Sequence, residues 1–330
     1  MVSGQSGVGK RRHGWQLPRL GCSAVRSKQG VKILLLGKNG QVGWELQRAL
    51  APLGEVIALD RQGSGELCGD LAELENLAAT VRQVAPDVIV NAAAYTAVDK
   101  AESEQALATL INAEAPGVLA REAAALGAWL IHYSTDYVFD GSGQSRWQED
   151  APTGPLSVYG RSKLEGERAI KASGARAVVL RTSWVYAARG HNFAKTMLRL
   201  AAERDALNVV ADQFGAPTGA ELIADVTAHI LRQITNAADA SQLAGTYHLA
   251  AAGETSWHGF ARFVLAHAGS KGVALKVSAE QVGAISTEDY PVPAPRPRNS
   301  RLALDKLEST FKLKMPLWEQ GVQRMLDEIQ

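Results

Sequence analysis

The fold can be predicted from one stretch of the chain, Val31-Lys-Ile-Leu-Leu-Leu-Gly37-Lys-Asn-Gly40-Gln-Val-Gly43. Its first six residues are nearly all aliphatic, which predicts a strand that is buried on both faces, as in a parallel sheet. Three glycines spaced three apart follow at once, and residues 44–50 continue with helical periodicity. A strand, a glycine turn and a helix in this order aim backbone N–H groups and the positive end of a helix dipole at a bound anion.

The three glycines have different predicted roles. Gly37 permits the tight turn, Gly40 lets a pyrophosphate approach the backbone, and Gly43 lets the helix pack on the strand. The spacing differs from the basic G-x-G-x-x-G fingerprint, so a βα turn without a ligand is the alternative. A second feature favours the ligand: a predicted strand at residues 55–59 ends at Asp60, an acid that can accept hydrogen bonds from the adenosine ribose. We therefore predict dinucleotide binding.

The composition excludes several classes of protein. The chain has 330 residues, 46% hydrophobic and 21% charged, as expected for a globular protein with two lobes or one large α/β unit. A net charge of +1 gives no indication of nucleic-acid or membrane binding. No apolar run approaches the roughly 20 residues of a membrane span. The two cysteines have neither metal nor disulfide spacing, so a cytoplasmic location is expected.

Residues 1–30 are predicted to be a disordered extension. They contain six Lys or Arg and no acid, whereas the remaining 300 residues carry a net charge of −5. The segment Gly4–Lys10 imitates a phosphate-binding P-loop, but Arg11 stands where a Mg²⁺-binding Ser or Thr belongs and no strand precedes it. The composition also resembles a transit peptide, although it lacks an apolar helical face. The alternative to an extension is a start site placed upstream of Val31.

Strands and helices alternate along the next 160 residues. Predicted strands at residues 31–36, 55–59, 87–90, 129–134 and 177–180 are separated by helical patterns, among them 70–84 with Asp70 as N-cap, 99–107 and 113–126. This alternation predicts an α/β fold with a doubly wound parallel (Rossmann) sheet. After residue 188 the pattern loosens. We expect a dinucleotide-binding domain of residues 31–188 with 220–250, and a smaller C-terminal substrate-binding lobe of 189–219 and 251–330.

A tyrosine, a lysine and a threonine form the candidate catalytic group. Tyr159 and Lys163 are four residues apart, so they share one face of a helix, and Thr135 follows the fourth strand. When hydride reaches a carbonyl carbon, the tyrosine hydroxyl can donate a proton to the oxygen, and a nearby ammonium is expected to lower the tyrosine pKa from its usual ~10. Thr135 would orient the carbonyl. The alternative is an ordinary exposed Tyr/Lys pair on a helix.

The chain resembles extended short-chain dehydrogenase/reductases and, among them, the dTDP-4-dehydrorhamnose reductase family. The resemblance runs from Val31 to the C-terminus. The stretches that carry it are Gly37-Lys-Asn-Gly-Gln-Val-Gly-Trp-Glu-Leu, Val90-Asn-Ala-Ala-Ala-Tyr-Thr-Ala-Val-Asp-Lys-Ala-Glu, His132-Tyr-Ser-Thr-Asp-Tyr-Val-Phe, Val158-Tyr-Gly-Arg-Ser-Lys, Arg181-Thr-Ser-Trp-Val-Tyr, Asp212-Gln-Phe-Gly-Ala-Pro-Thr-Gly and Arg296-Pro-Arg-Asn-Ser-Arg-Leu.

The resemblance implies reduction of the 4-keto group of a dTDP-linked deoxysugar by NADPH or NADH. It implies Tyr159 as proton donor, Lys163 as its partner and Thr135 as the third member. Thr135, Asp136 and Trp184 would contact the sugar. The cofactor would be surrounded by Gly37, Gly40, Gln41, Val42, Gly43, Asp60, Arg61, Asp70, Leu71, Ala93, Ala94, Tyr95, Thr96, Tyr133, Tyr159 and Lys163.

Two related functions can be weighed against this one. Nucleotide-sugar 4,6-dehydratases resemble Thr-Asp-Glu after the fourth strand, whereas here Tyr137 follows Asp136, so the acid for water elimination is absent. Epimerases usually carry small residues there. A non-catalytic cofactor-binding regulatory subunit, like that of methionine adenosyltransferase, is the rival from another class, and the complete set of Thr135, Tyr159 and Lys163 argues against it.

The resemblance leaves cofactor choice, metal and assembly open. Asp60 favours the free 2′-hydroxyl of NADH, while Arg61 can accept the 2′-phosphate of NADPH, so we expect both to be used. Some relatives bind Mg²⁺, for which Glu45 and Glu221 are conceivable ligands, but their spacing forms no ligand cluster and no metal site is predicted. A homodimer is the expected assembly.

Overall fold

The structure is a computed structural model that describes residues 1–4, 30–237 and 239–329. The predicted disorder of the extension therefore falls almost wholly on residues 5–29, which lie outside the described part. Among the described residues, no helix combines the length and apolarity needed to cross a bilayer.

The strands, numbered in chain order, are β1 (Val31–Leu36), β2 (Gly54–Leu59), β3 (Val88–Asn91), β4 (Trp129–Thr135), β5 (Arg176–Thr182), β6 (Val185–Tyr186), β7 (Asn208–Val210), β8 (Phe214–Gly215), β9 (Thr218–Gly219), β10 (Gly245–His248), β11 (Thr255–Ser256) and β12 (Gly283–Ile285). The α-helices are α1 (Gln41–Leu50), α2 (Leu74–Val84), α3 (Val98–Ala101), α4 (Gln105–Thr109), α5 (Ala115–Leu126), α6 (Val158–Ala172), α7 (Phe193–Glu203), α8 (Ala220–Asn236), α9 (Trp257–Ser270), α10 (Asp305–Phe311) and α11 (Trp318–Ile329).

A six-stranded parallel sheet in the order β10-β5-β4-β3-β1-β2 forms the centre of the molecule. This confirms the predicted doubly wound parallel sheet. The chain leaves β1 toward β2 on one side and continues from β3 to β5 on the other, so the direction of winding reverses between β1 and β3. A crevice for ligands opens at such a reversal, outside the carboxyl ends of the strands. The glycine turn lies at this point.

The aliphatic strands are explained by burial on both faces of the sheet. Leu35 and Val90 belong to one apolar cluster, together with residues of α1 and α8. Their neighbours Leu34 and Ile89 belong to a second cluster on the opposite face, together with residues of α2 and α5. Because successive strand residues point to opposite faces, a strand between two helical layers needs an apolar side chain at every position.

Two smaller apolar clusters lie in the C-terminal half. Both include residues of α7 and α9; the first also includes α11, and the second includes Val277 and Val282. By contrast, residues 302–315, including Leu307 and Phe311, contribute to the main core beside α8 and β10. We therefore propose that the smaller lobe is built around α7, α9 and α11, and that residues 302–315 belong structurally with the sheet.

Three predicted helices differ from the structure. The helix predicted over 70–84 begins at Leu74 with Glu73 as its N-cap, because the Asp70 side chain accepts a hydrogen bond from the Ala72 amide at 2.9 Å in a turn before the helix. The region predicted as helices 99–107 and 113–126 consists of α3, α4, one π-helical turn at Leu110–Glu114, and α5.

Candidate active site

The glycine turn is folded tightly against the end of β3. Gly37 has a φ of +87°, and a Cβ there would lie 2.7 Å from the amide nitrogen of Ala93. A Cβ on Gly43 would lie 2.0 Å from the Gly37 carbonyl oxygen, so a side chain would force α1 away from the turn. Gly40 is the N-cap of α1 without a side-chain cap, and it is exposed. The backbone N–H groups at the start of α1 are thus available for an anion.

The next two cofactor residues follow Gly40 along α1. Gln41 is the first residue of α1, and its side-chain oxygen accepts a 3.4 Å hydrogen bond from Asn192, which precedes α7. Val42 packs against the main core. The residue after the glycine turn therefore contacts the loop that enters the smaller lobe. The sequence around Gln41 and Asn192 did not predict this contact.

Asp60 follows β2 and lies beside the glycine turn. Its Oδ2 accepts a hydrogen bond from Asn39 at 2.7 Å and lies 3.4 Å from Lys38 Nζ, while Oδ1 accepts from the Gln62 amide. These contacts hold the carboxylate at the edge of the crevice. The neighbouring Arg61 is exposed. An acid and an arginine therefore stand together where an adenosine ribose is expected.

The small residues after β3 line the other side of the crevice. Ala93 and Ala94 are partly buried and Thr96 is exposed. The Tyr95 side chain turns outward, and its hydroxyl donates to Glu104 at 2.5 Å. Asp70 and Leu71 lie in the turn between β2 and α2, where Leu71 is buried in the core. The narrow glycine turn, the free helix N-terminus and the small alanines together fit a dinucleotide.

The structure brings Thr135 and Tyr159 close together. Thr135 ends β4 and Tyr159 lies in the first turn of α6, which Ser157 caps through its hydroxyl. Thr135 Oγ1 donates to Asp136 Oδ1 at 3.0 Å and accepts from the Tyr137 amide. The Thr135 hydroxyl has a single proton to share between Asp136 and Tyr159.

Asp136, the carboxylate next to Thr135, is buried. Burial raises its pKa to about 6, against hydrogen bonds from Ser300 and Thr135 that lower it. Its Oδ2 has no hydrogen-bond partner among the described residues. Ser300 belongs to the stretch Arg296–Leu302, so the C-terminal part of the chain reaches the carboxyl end of β4. Sequence reasoning did not name Ser300, although its stretch carried part of the resemblance.

Lys163 is held differently from the prediction. Its Nζ donates to the carbonyl of Tyr133 at 2.6 Å and lies 3.2 Å from His132 Nε2. Burial lowers the pKa of Lys163 to about 8. Burial also raises the pKa of Tyr159 to about 12, against a hydrogen bond from Thr135 that lowers it. The Nζ atom is thus directed at β4, and the effect of the ammonium on the tyrosine pKa stays a prediction.

Tyr133 contributes its backbone rather than its ring. Its carbonyl holds Lys163, and its hydroxyl forms a 2.8 Å hydrogen bond with Thr227 of α8. The ring packs against the main core. Sequence reasoning missed His132 and Asn91, which lie behind Lys163; their place at the ends of buried strands was the available signal.

Trp184 lies at the entrance to the smaller lobe. It has a φ of +49°, and its ring stacks on Trp257 of α9 with centroids 3.7 Å apart. A side chain on Gly215 would collide with the Trp184 ring, at 2.9 Å. Glycine at 215 therefore leaves room for an aromatic platform beside the crevice.

The conceivable metal ligands do not form a site. Within residues 30–237 and 239–329, no group of three or more His, Cys, Asp or Glu side chains is arranged to hold a metal ion. Glu45 pairs with Arg48 at 3.4 Å, and burial raises the pKa of Glu221, which disfavours its charged, metal-binding form.

Comparison with known proteins shows the family of this chain. The family model described as RmlD substrate binding domain matches residues 31–330. Curated dTDP-4-dehydrorhamnose reductases of Shigella flexneri and Escherichia coli K12 are each 54% identical over 299 residues, covering 91% of this chain and 98% of the relative. The chain belongs to the dTDP-4-dehydrorhamnose reductase family.

A solved structure of this family has the same fold. The dTDP-4-dehydrorhamnose reductase of Bacillus anthracis, in complex with NADP, is 35% identical with a TM-score of 0.80, covering 91% of this chain and 99% of that one. A Bordetella bronchiseptica enzyme in complex with NAD is 19% identical with a TM-score of 0.71, which shows a shared fold.

Proposed function

We propose that this protein reduces the 4-keto group of dTDP-4-dehydro-L-rhamnose to give dTDP-L-rhamnose. The observation that carries the proposal is that Tyr159 lies beside Thr135 at the carboxyl end of β4, in the same crevice as the glycine turn. Family membership supports the sugar nucleotide, since the 54% identical relatives bear the name of this reaction.

The chain's residues account for cofactor binding and proton transfer. The N-terminus of α1 and the glycine turn would hold the pyrophosphate, and Asp60 the adenosine ribose. When bound, the reduced nicotinamide supplies hydride to the keto carbon. Tyr159 would donate its proton to the keto oxygen. Thr135 and Asp136 would orient the sugar, and Trp184 would pack against it.

The acid–base logic favours a reductase over the related reactions. A tyrosine whose pKa is raised by burial remains protonated near neutral pH and is ready to donate. Tyr137 occupies the position after Asp136, and its ring lies edge-on to Tyr159 with centroids 5.5 Å apart, so an aromatic ring stands where a dehydratase needs an acid.

Absorbance of the reduced nicotinamide tests the proposal. We expect the absorbance to fall when the protein and NADPH or NADH are mixed with dTDP-4-dehydro-L-rhamnose, with both cofactors active because Asp60 and Arg61 stand side by side. Folded protein that binds cofactor without turnover would instead support the non-catalytic regulatory role. Activity with a single cofactor would refute dual use alone.

Tyr159→Phe tests the proton donor. Removing the hydroxyl should lower kcat by at least ~100-fold, the usual size of a general-acid contribution, and leave cofactor affinity within about twofold. Equal turnover in the variant would contradict the role of Tyr159. We extend the proposal to a cytoplasmic homodimer, which size-exclusion chromatography with light scattering would test for assembly.

A further inference from the structure

A chain of buried polar side chains lies behind Lys163. Asn91 ends β3 and faces His132 in the neighbouring strand β4, and both side chains are only 1% exposed. Asn91 Oδ1 accepts a 3.2 Å hydrogen bond from the Ala93 backbone amide, and Asn91 Nδ2 lies 3.2 Å from His132 Nδ1. His132 Nε2 then lies 3.2 Å from Lys163 Nζ.

The hydrogen bond from the Ala93 amide determines which atom donates and which accepts in each of the other hydrogen bonds of this row. A backbone N–H can only donate, so the Asn91 oxygen must face Ala93 and its NH₂ group must face His132. His132 Nδ1 is then an acceptor, and the proton of the neutral ring lies on Nε2. The imidazole therefore presents an N–H, not a lone pair, to Lys163.

A neutral amine satisfies this arrangement and an ammonium does not. An amine can accept from His132 Nε2–H, donate to the Tyr133 carbonyl at 2.6 Å and keep one N–H for the crevice. An ammonium has no lone pair, so one of its N–H groups would oppose the imidazole N–H. Reversing the ring tautomer only moves the clash to Asn91 or to Ala93.

We propose that Asn91 and His132 are positioning residues that oppose protonation of Lys163. The other charged group that faces Lys163 is Glu167, one turn further along α6, and Arg181 of β5 neutralises it through bonds of 2.9 and 2.7 Å. Burial lowers the pKa of Lys163 and lowers that of His132 well below its usual value. The charge of Glu167 acts in the opposite direction on Lys163.

The consequence of this inference for catalysis, proton exchange by Lys163, rests on the proposed function. A lysine whose pKa is lowered toward about 8 can exchange a proton with its surroundings as Tyr159 is reprotonated, whereas a permanently charged lysine can only stabilise negative charge. The hydrogen bonds of Asn91 and His132 thus connect the backbone at Ala93, which lines the cofactor crevice, to the protonation state of Lys163.

NMR of the full-length protein without cofactor determines which ring nitrogen of His132 carries the proton. In protein labelled with ¹⁵N-histidine, we expect His132 to carry its proton on Nε2 between pH 6 and 8. A proton on Nδ1, or an imidazolium, would overturn the proposal. This measurement needs no variant and no substrate. A protein that shows the Nε2–H tautomer but no turnover would count against the reductase assignment and leave this inference standing.

Asn91→Asp tests the effect on Lys163. A carboxylate accepts from both Ala93 and His132, so the proton should move to Nδ1 and Nε2 should offer a lone pair to Lys163. We expect the pKa of Lys163, followed by ¹³C-lysine NMR and assigned with Lys163→Met, to rise by about one unit or more.

The double variant Asn91→Asp/His132→Phe distinguishes an effect transmitted through the His132 ring from direct attraction between the new carboxylate and Lys163. The carboxylate at 91 would attract an ammonium without any imidazole between them. If the chain transmits the effect, Asn91→Asp should raise the pKa of Lys163 by less than half as much in the His132→Phe background. An equal rise in both backgrounds would overturn the proposal. Should the variants not fold, the tautomer measurement decides alone.

Discussion

At the scale of a single residue, the burial of the Asp136 carboxyl in the site lowers the stability of the folded protein at neutral pH. Its pKa is raised to about 6 by burial, so the folded protein holds this proton more tightly than the unfolded chain, whose Asp titrates near ~3.9. The free energy of unfolding therefore falls as the pH rises from about 4 to 6. Asn has the same shape and cannot ionise.

We expect Asp136→Asn to raise the free energy of unfolding at pH 7 by about 3 kcal/mol and to leave it nearly unchanged at pH 3.5. Turnover should fall, because the carboxylate that orients Thr135 is lost. Urea denaturation at both pH values measures the effect, with the exposed Glu75→Gln as a control that should change stability by less than about 0.5 kcal/mol. A variant less stable than the parent at pH 7 would contradict the sign.

The residues of the site differ in how far the sequence could place them. Thr135 and Tyr159 were expected to meet, since a strand end and a helix start define where each lies. The direction of the Lys163 side chain could not be predicted, because it depends on a carbonyl of β4 and on an imidazole contributed from another element. Tyr133 was expected at the cofactor, but only the three-dimensional packing reveals that its hydroxyl reaches Thr227.

At the scale of elements, α1 depends on the absence of a side chain at Gly43. A Cβ there would meet the Gly37 carbonyl oxygen at 2.0 Å and the carbonyl carbon at 2.7 Å, and neither backbone atom can rotate away. We expect Gly43→Ala to cost about 2 kcal/mol of stability and at least tenfold in NADPH affinity. Thermal unfolding and fluorescence titration measure the two effects.

The matched control is Gly269→Ala, near the end of α9. No atom lies within 4 Å of a Cβ built there, so the change should be neutral or stabilising by up to about 1 kcal/mol. If Gly43→Ala behaved like this control, the close packing of α1 on the glycine turn would not be what selects glycine.

The link between α6 and β5 is a buried ion pair. Arg181 contacts Glu167 through two bonds of 2.9 and 2.7 Å, and both side chains are less than a tenth exposed. We expect Glu167→Ala to cost about 3–5 kcal/mol, because it leaves a buried guanidinium without its partner. Glu203→Ala breaks the exposed pair with Arg199 and should cost less than about 1 kcal/mol. Equal costs in urea denaturation would show that burial does not govern the pair.

At the scale of the whole molecule, alternating patterns predicted the sheet but not the path of the chain's end. Each sheet strand is a local run with both faces buried, and parallel pairing follows from the helices between them. The segment 302–315 has no such pattern. Its place on the main core depends on contacts with α8 and β10 that are distant in sequence, so no local pattern indicates it.

The C-terminal segment is joined to the Rossmann part by Asp99 of α3. Its Oδ2 accepts from Arg296 at 2.7 Å and its Oδ1 from the Ala294 amide at 3.2 Å. The same segment continues to Ser300, which lies close enough to Asp136 in the site to lower the pKa of that carboxyl. Loosening the segment should therefore affect sugar binding more than folding.

We expect Asp99→Ala to raise KM for the sugar nucleotide by about tenfold, equivalent to about 1.4 kcal/mol, while the free energy of unfolding changes by less than about 1 kcal/mol because the pair is partly exposed. Steady-state kinetics and urea denaturation give the two values. Asp327→Ala removes an aspartate that pairs with Lys271 at 3.0 Å between α9 and α11, and KM should stay unchanged. An unaltered KM in Asp99→Ala would show that the site keeps its shape without this tie, and that Ser300 is held by its own backbone bond to Phe214 at 2.7 Å.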